Sequence, residues 1–170
     1  MAAPSAGGVS RLTAAVVLAV LAAGCGDGGP REIAWGREEC AACRMQIADQ
    51  RFGAQLVTTR GKVMSFDAVE CLVGFLDTGA VPAGEVSSLW VVNFARPGRL
   101  IDARTARYLR SPMVRSPMGL DAMAFATDDE LAAARANHPG DVVTWDRLPA
   151  LRREVGTPGR PALPTGAVHP

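Results

Sequence analysis

Histidine and lysine are scarce in this chain, and the scarcity of histidine excludes several kinds of site. The 170 residues include 2 histidines, and Lys62 is the single lysine. A blue-copper site needs two histidines, and His169 falls in a terminal stretch rich in Pro and Gly, which leaves His138 alone. A c-type haem site needs a histidine directly after a Cys-Xaa-Xaa-Cys pair, and Arg44 stands at that position.

The chain also lacks any long run of one charge. Its 18 basic residues face 17 acidic ones, and the formal net charge is +1. Domains that bind nucleic acid concentrate basic residues on one surface, so we expect no nucleic-acid partner. We also find no Ser/His/Asp set, paired carboxylate site or phosphate-binding loop. The sequence therefore predicts a protein that is not an enzyme.

The N-terminus predicts export. Residues 1–24 carry a positive Arg11, an apolar run over residues 12–21, and small residues before Cys25. Ala-Ala-Gly-Cys resembles a bacterial lipobox, which predicts lipid attachment at Cys25 and an extracytoplasmic protein held at a bacterial membrane, periplasmic or on the outer face of the envelope. An ordinary secretory signal followed by a chance cysteine is the alternative. Residues 25–34 would then form a flexible tether.

Alternating strand and helix patterns predict an α+β fold over residues 35–147. Two small modules, about 35–85 and 88–147, would each form a short antiparallel sheet of β-β-α type. Ala103–Tyr108 is predicted to form a helical turn, and residues 148–170, rich in Pro, Gly, Arg and Ala, a disordered tail.

The two modules share a strand-to-helix junction. Met64-Ser-Phe66 precedes a capping box at Asp67–Glu70, and Met123-Ala-Phe125 precedes another at Thr127–Glu130. We interpret this as a weak internal duplication, although two unrelated junctions would produce the same pattern.

Cys40, Cys43 and Met45 place three soft sulfur side chains within six residues. In an extended chain, residues two apart point to the same face, so Cys43 and Met45 would converge on one ion, and Cys40 could join across the turn. Thiolate and thioether ligands favour Cu(I) over harder metals. A four-sulfur zinc site usually needs a second cysteine or histidine pair, and no second Cys-Xaa-Xaa-Cys is present. The cluster therefore predicts a Cu(I) carrier.

Two other interpretations of the cysteine pair stay open. Cys40 and Cys43 could form a redox pair of thioredoxin type, although the usual βαβ pattern is missing and Met45 has no part in such chemistry. They could also form a disulfide that only fastens a loop in an interaction module. Cys71 lies in the first predicted helix near Leu72 and Phe75, and we expect it to be a buried, inert thiol.

An ordered set of motifs resembles the NosL family, lipoprotein accessory factors for nitrous-oxide reductase maturation. The resemblance covers residues 35–147 and the lipobox before them. Its elements are Cys25, the Cys40–Met45 cluster, Phe66-Asp67, Ile101-Asp102-Ala103, Tyr108, Pro117-Met118-Gly119 and Ala124-Phe125. The chain departs from the family pattern at Arg44, where the family usually has Gly.

This resemblance implies a role and a ligand set. It implies two related β-α modules, Cu(I) binding, and delivery of copper to a nitrous-oxide-reductase-type enzyme. Positions that match the family's ligands are Cys43, Met45 and Met118, so Met118 becomes an expected ligand instead of a core residue. The implied partners are a copper-transporting or assembly complex in the membrane and the recipient reductase.

Overall fold

A computed structural model describes residues 28–156 of the chain. The predicted signal over residues 1–24, lipidation at Cys25 and the tail beyond residue 156 lie outside the described residues. Within the described part, every helix is too short or too polar to span a bilayer.

Two antiparallel sheets and three α-helices form the described part. The first sheet has the strand order β2-β1-β3-β4 and the second has the order β6-β5-β7, so the predicted α+β class with two small sheets is confirmed. In chain order the elements are β1 (Ala54–Thr58), β2 (Val63–Phe66), α1 (Val69–Asp77), β3 (Val86–Val92), β4 (Leu100–Asp102), β5 (Arg107–Arg110), β6 (Ala122–Phe125), α2 (Asp128–Asn137), β7 (Asp141–Val143) and α3 (Leu148–Val155).

The two sheets repeat one topology. In each, the first strand lies between the second and the third, and all of these pairs are antiparallel. The register repeats as well, because Ala54 of β1 faces Phe66 and Arg107 of β5 faces Phe125. The sequence similarity of the two strand-to-helix junctions therefore corresponds to a repeated β-β-α-β unit, with β4 added at the edge of the first sheet.

The boundary between the modules lies later than the sequence pattern indicated. We expected the second module to begin near residue 88, but β3 pairs with β1 and β4 pairs with β3. Leu89 and Val91 of β3 are buried in the core of the first module. Strand pairing depends on contacts distant in sequence, so the local pattern alone could not locate this boundary.

The segment between β4 and β5 is not the helical turn that we predicted. Asp102 Oδ1 accepts hydrogen bonds from the backbone N–H groups of Arg104 and Thr105, each at 2.9 Å, which turns the chain between the two strands. Tyr108 lies inside β5, fully buried, and its hydroxyl donates to the carbonyl of Ala103 at 2.6 Å.

Ordered structure extends beyond both predicted limits of the domain. Residues 148–155, predicted to be disordered, form α3, because Leu148 and Leu151 bury one face of this helix in the larger hydrophobic core of the protein. Arg153 of α3 also pairs with Asp77 of α1 at 3.0 Å. At the other end, Ile33 of the predicted tether is buried, and the Arg31 N–H donates to Gln55 Oε1 at 3.0 Å.

Candidate metal centre

The Cys40–Met45 segment forms a tight turn, so the extended backbone that would bring Cys43 and Met45 to one face is not present. Residues 41–43 form the turn itself. The Cys40 N–H donates to the Met45 carbonyl at 2.8 Å, and the Arg44 N–H donates to the Cys40 carbonyl at 3.0 Å. A further bond, from the Ala41 N–H to the Ser65 carbonyl at 2.9 Å, attaches the turn to β2. The backbone thus holds both cysteines of the pair at the end of the first sheet.

Arg44 occupies a left-handed backbone position, with φ of 65°. Glycine adopts this conformation freely, whereas other residues incur about 1–2 kcal/mol. The glycine of the family pattern therefore has a conformational explanation, and this chain forms the same kind of turn at some cost. The Arg44 side chain is 75% exposed and pairs with Glu39 at 3.2 Å.

Three thiols meet at this turn. The Sγ atoms of Cys40, Cys43 and Cys71 all lie within 4.8 Å of one another. Cys71 belongs to α1, which follows directly after β2, and all three cysteines are free thiols. We predicted burial of Cys71 correctly, but we did not predict its place beside the pair. No sequence spacing indicates this contact, because it arises from the packing of α1 against the turn.

The cluster runs from the core to the surface. Cys40 is fully buried, Cys71 is 4% exposed, and Cys43 is half-buried. Cys43 and Cys71 line a cavity of about 300 Å³, and Met118 of the second module lines the same cavity. Among the predicted ligands, the fold thus brings Cys40, Cys43 and Met118 into one region. Met45 lies on the surface beside them, 54% exposed, outside the cavity wall.

The environment of the three thiols favours one negative charge, on Cys40. A hydrogen bond from the Cys71 thiol lowers the pKa of Cys40 to about 5 against the opposing effect of burial, with help from the backbone N–H groups of Cys43, Asp67 and Ala42. The Cys43 N–H lies 3.5 Å from the Cys40 Sγ. Burial raises the pKa of Cys43. The pKa of Cys71 is raised mainly by the hydrogen bond that its thiol donates to Cys40, and also by burial. A thiolate with two protonated neighbours results.

Glu70 connects the cysteine side of the cavity to the methionine side. Its Oε1 accepts hydrogen bonds from the Ser116 hydroxyl and, at 3.4 Å, from the Leu120 N–H. These two residues flank Met118 in the loop that leads to β6. Ser116 and Asp121 close that loop, since the Asp121 N–H donates to the Ser116 hydroxyl at 2.8 Å. Glu70 therefore holds the Met118 loop against α1.

This role of Glu70 replaces the capping box that we predicted for α1. The residue before α1 is Ala68, and no side chain caps the helix. Glu70 is 2% exposed, its Oε2 has no hydrogen-bond partner among residues 28–156, and burial raises its pKa. The neighbouring Asp67 is buried too, and its pKa rises to about 6 because of burial and the charge of Cys40. The second capping box is confirmed, because the Thr127 hydroxyl accepts from the Glu130 N–H at 3.2 Å.

A sequence model of the NosL family matches residues 33–151, which is more than half of the chain. The chain belongs to the NosL family. Among solved structures, the fold is similar to the crystal structure of the copper chaperone NosL from Shewanella denitrificans. The TM-score is 0.55 at 22% sequence identity, over 69% of this chain and 96% of that chain, and at this identity the likeness concerns the fold alone. A search of curated proteins found no significant match.

The NosL-matched region contains every sulfur ligand that we considered within the folded domain. Cys40, Cys43, Met45, Cys71 and Met118 all lie between residues 33 and 151. The matched region ends within α3, at residue 151, so the cavity-lining residues Arg152, Val155 and Gly156 follow just beyond it.

Proposed function

We propose that this chain is an extracytoplasmic Cu(I) metallochaperone and not an enzyme. The observation that carries the proposal is the meeting of free thiols and a methionine thioether at one partly open cavity. Soft sulfur donors of both kinds select Cu(I). Family membership and the fold shared with a protein described as a copper chaperone support the same role.

The proposed ligands are Cys43, Met45, Met118 and Cys40. Cys43 and Met118 line the cavity from opposite modules, and Cys40 lies beside Cys43 in the core. Met45 is exposed next to Cys43, and its flexible thioether can reach an ion at the cavity mouth. Cu(I) displaces the proton of Cys43 when it binds. A low coordination number then leaves room for a ligand of the recipient, so copper leaves by ligand exchange without a change of oxidation state.

The proposed setting is the bacterial cell envelope. Lipid on Cys25 would anchor the domain to the membrane, on its periplasmic or outer face, where it meets exported copper. The proposed recipients are a copper-transporting or assembly complex in the membrane and a nitrous-oxide-reductase-type enzyme, which places the protein in the maturation of a denitrification enzyme. The resemblance of the motif set to the NosL family supports these partners.

Anaerobic titration tests the proposal. The reduced protein competes for Cu(I) with a chromophoric chelator, with a parallel titration of Zn(II). We expect tight one-to-one Cu(I) binding that Cys43→Ser abolishes and Met118→Ala weakens. Met45→Ala should also weaken Cu(I) binding, and Met113→Ala is its matched control, because Met113 is also exposed, at 66%, and does not line the cavity. Stoichiometric Cu(I) binding by Cys43→Ser contradicts the ligand assignment.

A thiol-disulfide protein is the second candidate function. The lowered pKa of Cys40, at about 5, provides the thiolate that such chemistry needs beside a second thiol. This candidate requires a Cys40–Cys43 disulfide that forms and breaks readily and activity that survives Met118→Ala. Measuring the reduction potential of the pair, with and without one equivalent of Cu(I), separates the two functions.

A further inference from the structure

We infer that Cys71 is a metal ligand and that Cys40, Cys43 and Cys71 form an inner three-thiolate position for a soft cation. This inference rests on the proposed copper function and deepens it. The inner position adjoins an outer one made by Cys43, Met45 and Met118, and Cys43 belongs to both.

The spacing of the three sulfurs fits a trigonal site. A metal–sulfur bond of about 2.3 Å in a flat three-coordinate site places the sulfurs about 4 Å apart. The three Sγ atoms already lie within 4.8 Å of one another, so closing on an ion requires movements of less than an ångström. Two of the three come from one short turn and the third from α1, so the fold brings them together without an ion.

Burial distinguishes the inner position from the outer one. Cys40 and Cys71 are nearly inaccessible to solvent, although Cys71 contributes to the cavity wall, while Cys43 lines the same cavity and is half-buried. A cation at the inner position would therefore be shielded from solvent chelators, and Cys43 is its route to the surface. At the outer position, the thioethers of Met118 and Met45 take the places of the Cys40 and Cys71 thiolates. Moving between the positions exchanges ligands on one ion and needs no oxidant or reductant.

The charge balance of the inner position can be written out. A Cu(I) ion that enters forms three copper–sulfur bonds, and every proton that the three thiols still carry passes to water. Three thiolates and one Cu(I) ion together carry a charge of −2. Arg152 of α3 lines the same cavity, and its guanidinium packs against Gly74 of α1.

The first experiment measures Cu(I) affinity and copper coordination in wild type, Cys71→Ala and Val73→Ala. Val73 is the matched control, because it is a buried residue of α1 outside the cavity wall. We expect X-ray absorption of the wild-type complex to show three sulfur neighbours. Cys71→Ala should weaken Cu(I) binding by about tenfold or more, the loss that even an outer-shell partner can cause, and should shorten the remaining bonds. Val73→Ala should retain wild-type affinity and coordination.

The second experiment uses arsenite, which condenses with three thiols, releases three water molecules and does not bond thioethers. We expect one arsenite per wild-type protein, much weaker binding by Cys71→Ala, in which only the Cys40 and Cys43 thiols remain, and unchanged binding by Met118→Ala and Val73→Ala. Because this probe does not depend on copper, it tests the three-thiol geometry even if the copper proposal fails. Circular dichroism of each variant reports whether it has folded, and Cys71→Ser is a second substitution of similar size.

The outcomes separate the inference from the proposed function. If wild type and Cys71→Ala bind Cu(I) with equal affinity and equal sulfur counts, the inference is wrong and the copper function stands. If wild type binds arsenite and not Cu(I), the copper function fails, and with it the assignment of Cys71 as a copper ligand. The inner position is supported if Cys71→Ala loses a sulfur neighbour of copper and affinity for Cu(I) while Val73→Ala loses neither.

Discussion

The helices α1 and α2, one in each module, both have a glutamate in the first turn, and the two glutamates have different roles. Glu130, in the first turn of α2, accepts hydrogen bonds from Asn93 at 2.9 Å and from the Ala126 N–H at 3.0 Å. Despite the opposing effect of its partial burial, these bonds lower the pKa of Glu130. Glu70, in the first turn of α1, is buried against the Met118 loop, and burial raises its pKa.

The difference teaches how a repeated unit can acquire a site. In the second module, the cap and the glutamate stabilise the helix and join it to Asn93 at the end of β3. In the first module the helix has no side-chain cap, and the glutamate reaches across to the other module. Cys71 follows Glu70 directly, so the same helical turn supplies both the loop contact and the third thiol. The helix that lines the cavity thus lacks the side-chain cap that α2 has.

Removing the Glu70 contact is expected to have the largest effect on this comparison. Glu70→Ala leaves the Ser116 hydroxyl and the Leu120 N–H without their buried acceptor, which costs about 1–3 kcal/mol in the free energy of unfolding. Loosening the Met118 loop should also weaken Cu(I) binding. Urea denaturation and chelator competition measure the two effects. Glu70→Gln is the control, because its amide oxygen can still accept both bonds, and an equal loss in both variants contradicts the positioning role.

Glutamine at the two glutamates should reveal opposite pH dependences of the free energy of unfolding. Because the pKa of Glu70 is raised in the folded protein, the wild type loses stability as pH rises above 4.5, the pKa of this group in the unfolded chain. The stability of Glu70→Gln relative to the wild type should therefore increase as pH rises. The lowered pKa of Glu130 stabilises the wild type above that value and ceases to do so as pH falls through the folded pKa. Glu130→Gln should therefore lose stability near pH 7 and match the wild type in acid.

Urea denaturation of both variants between pH 3 and pH 8, in reductant and without metal, checks these signs. A third variant, Asp129→Asn, controls for removing a negative charge from the first turn of α2 without touching the Asn93 contact. Parallel curves for Glu70→Gln and Glu130→Gln would show that the two glutamates share one environment.

The smallest expected effect concerns two left-handed residues, one in each ligand-bearing loop. Arg44 has φ of 65° and Asp121 has φ of 60°. Arg44→Gly relieves a conformational cost and should stabilise the protein by about 0.5–1 kcal/mol. Asp121→Gly should destabilise it instead, because Asp121 Oδ1 accepts from the Ser116 N–H at 3.1 Å and Oδ2 pairs with Arg115 at 3.1 Å. Thermal unfolding of the two variants measures the opposite shifts, and stabilisation by both changes would mean that the Asp121 contacts contribute little.

Local patterns predicted the parts of the molecule that depend on neighbouring residues. The strands that end at Phe66 and Phe125 and the Thr127 cap of α2 lie where periodicity and capping chemistry indicated. The patterns failed for Ala103–Tyr108, which we predicted to be a helical turn but which forms an Asx turn followed by the start of β5. They failed again at α3, because Leu148 and Leu151 find a core surface that composition does not reveal.

Chain chemistry alone placed the soft sulfur cluster of Cys40, Cys43 and Met45 and indicated the two-module α+β plan, whereas Met118 joined the expected ligands only through the resemblance to the NosL family. The residues that form these features lie close together in the sequence, and a short separation along the chain limits which atoms can come into contact. Tertiary packing added Cys71 to the cysteine pair, turned Glu70 from a cap into a contact between modules, and closed the cavity with α3. Residues far apart along a chain become neighbours only when the helices and sheets that carry them bury their apolar faces together.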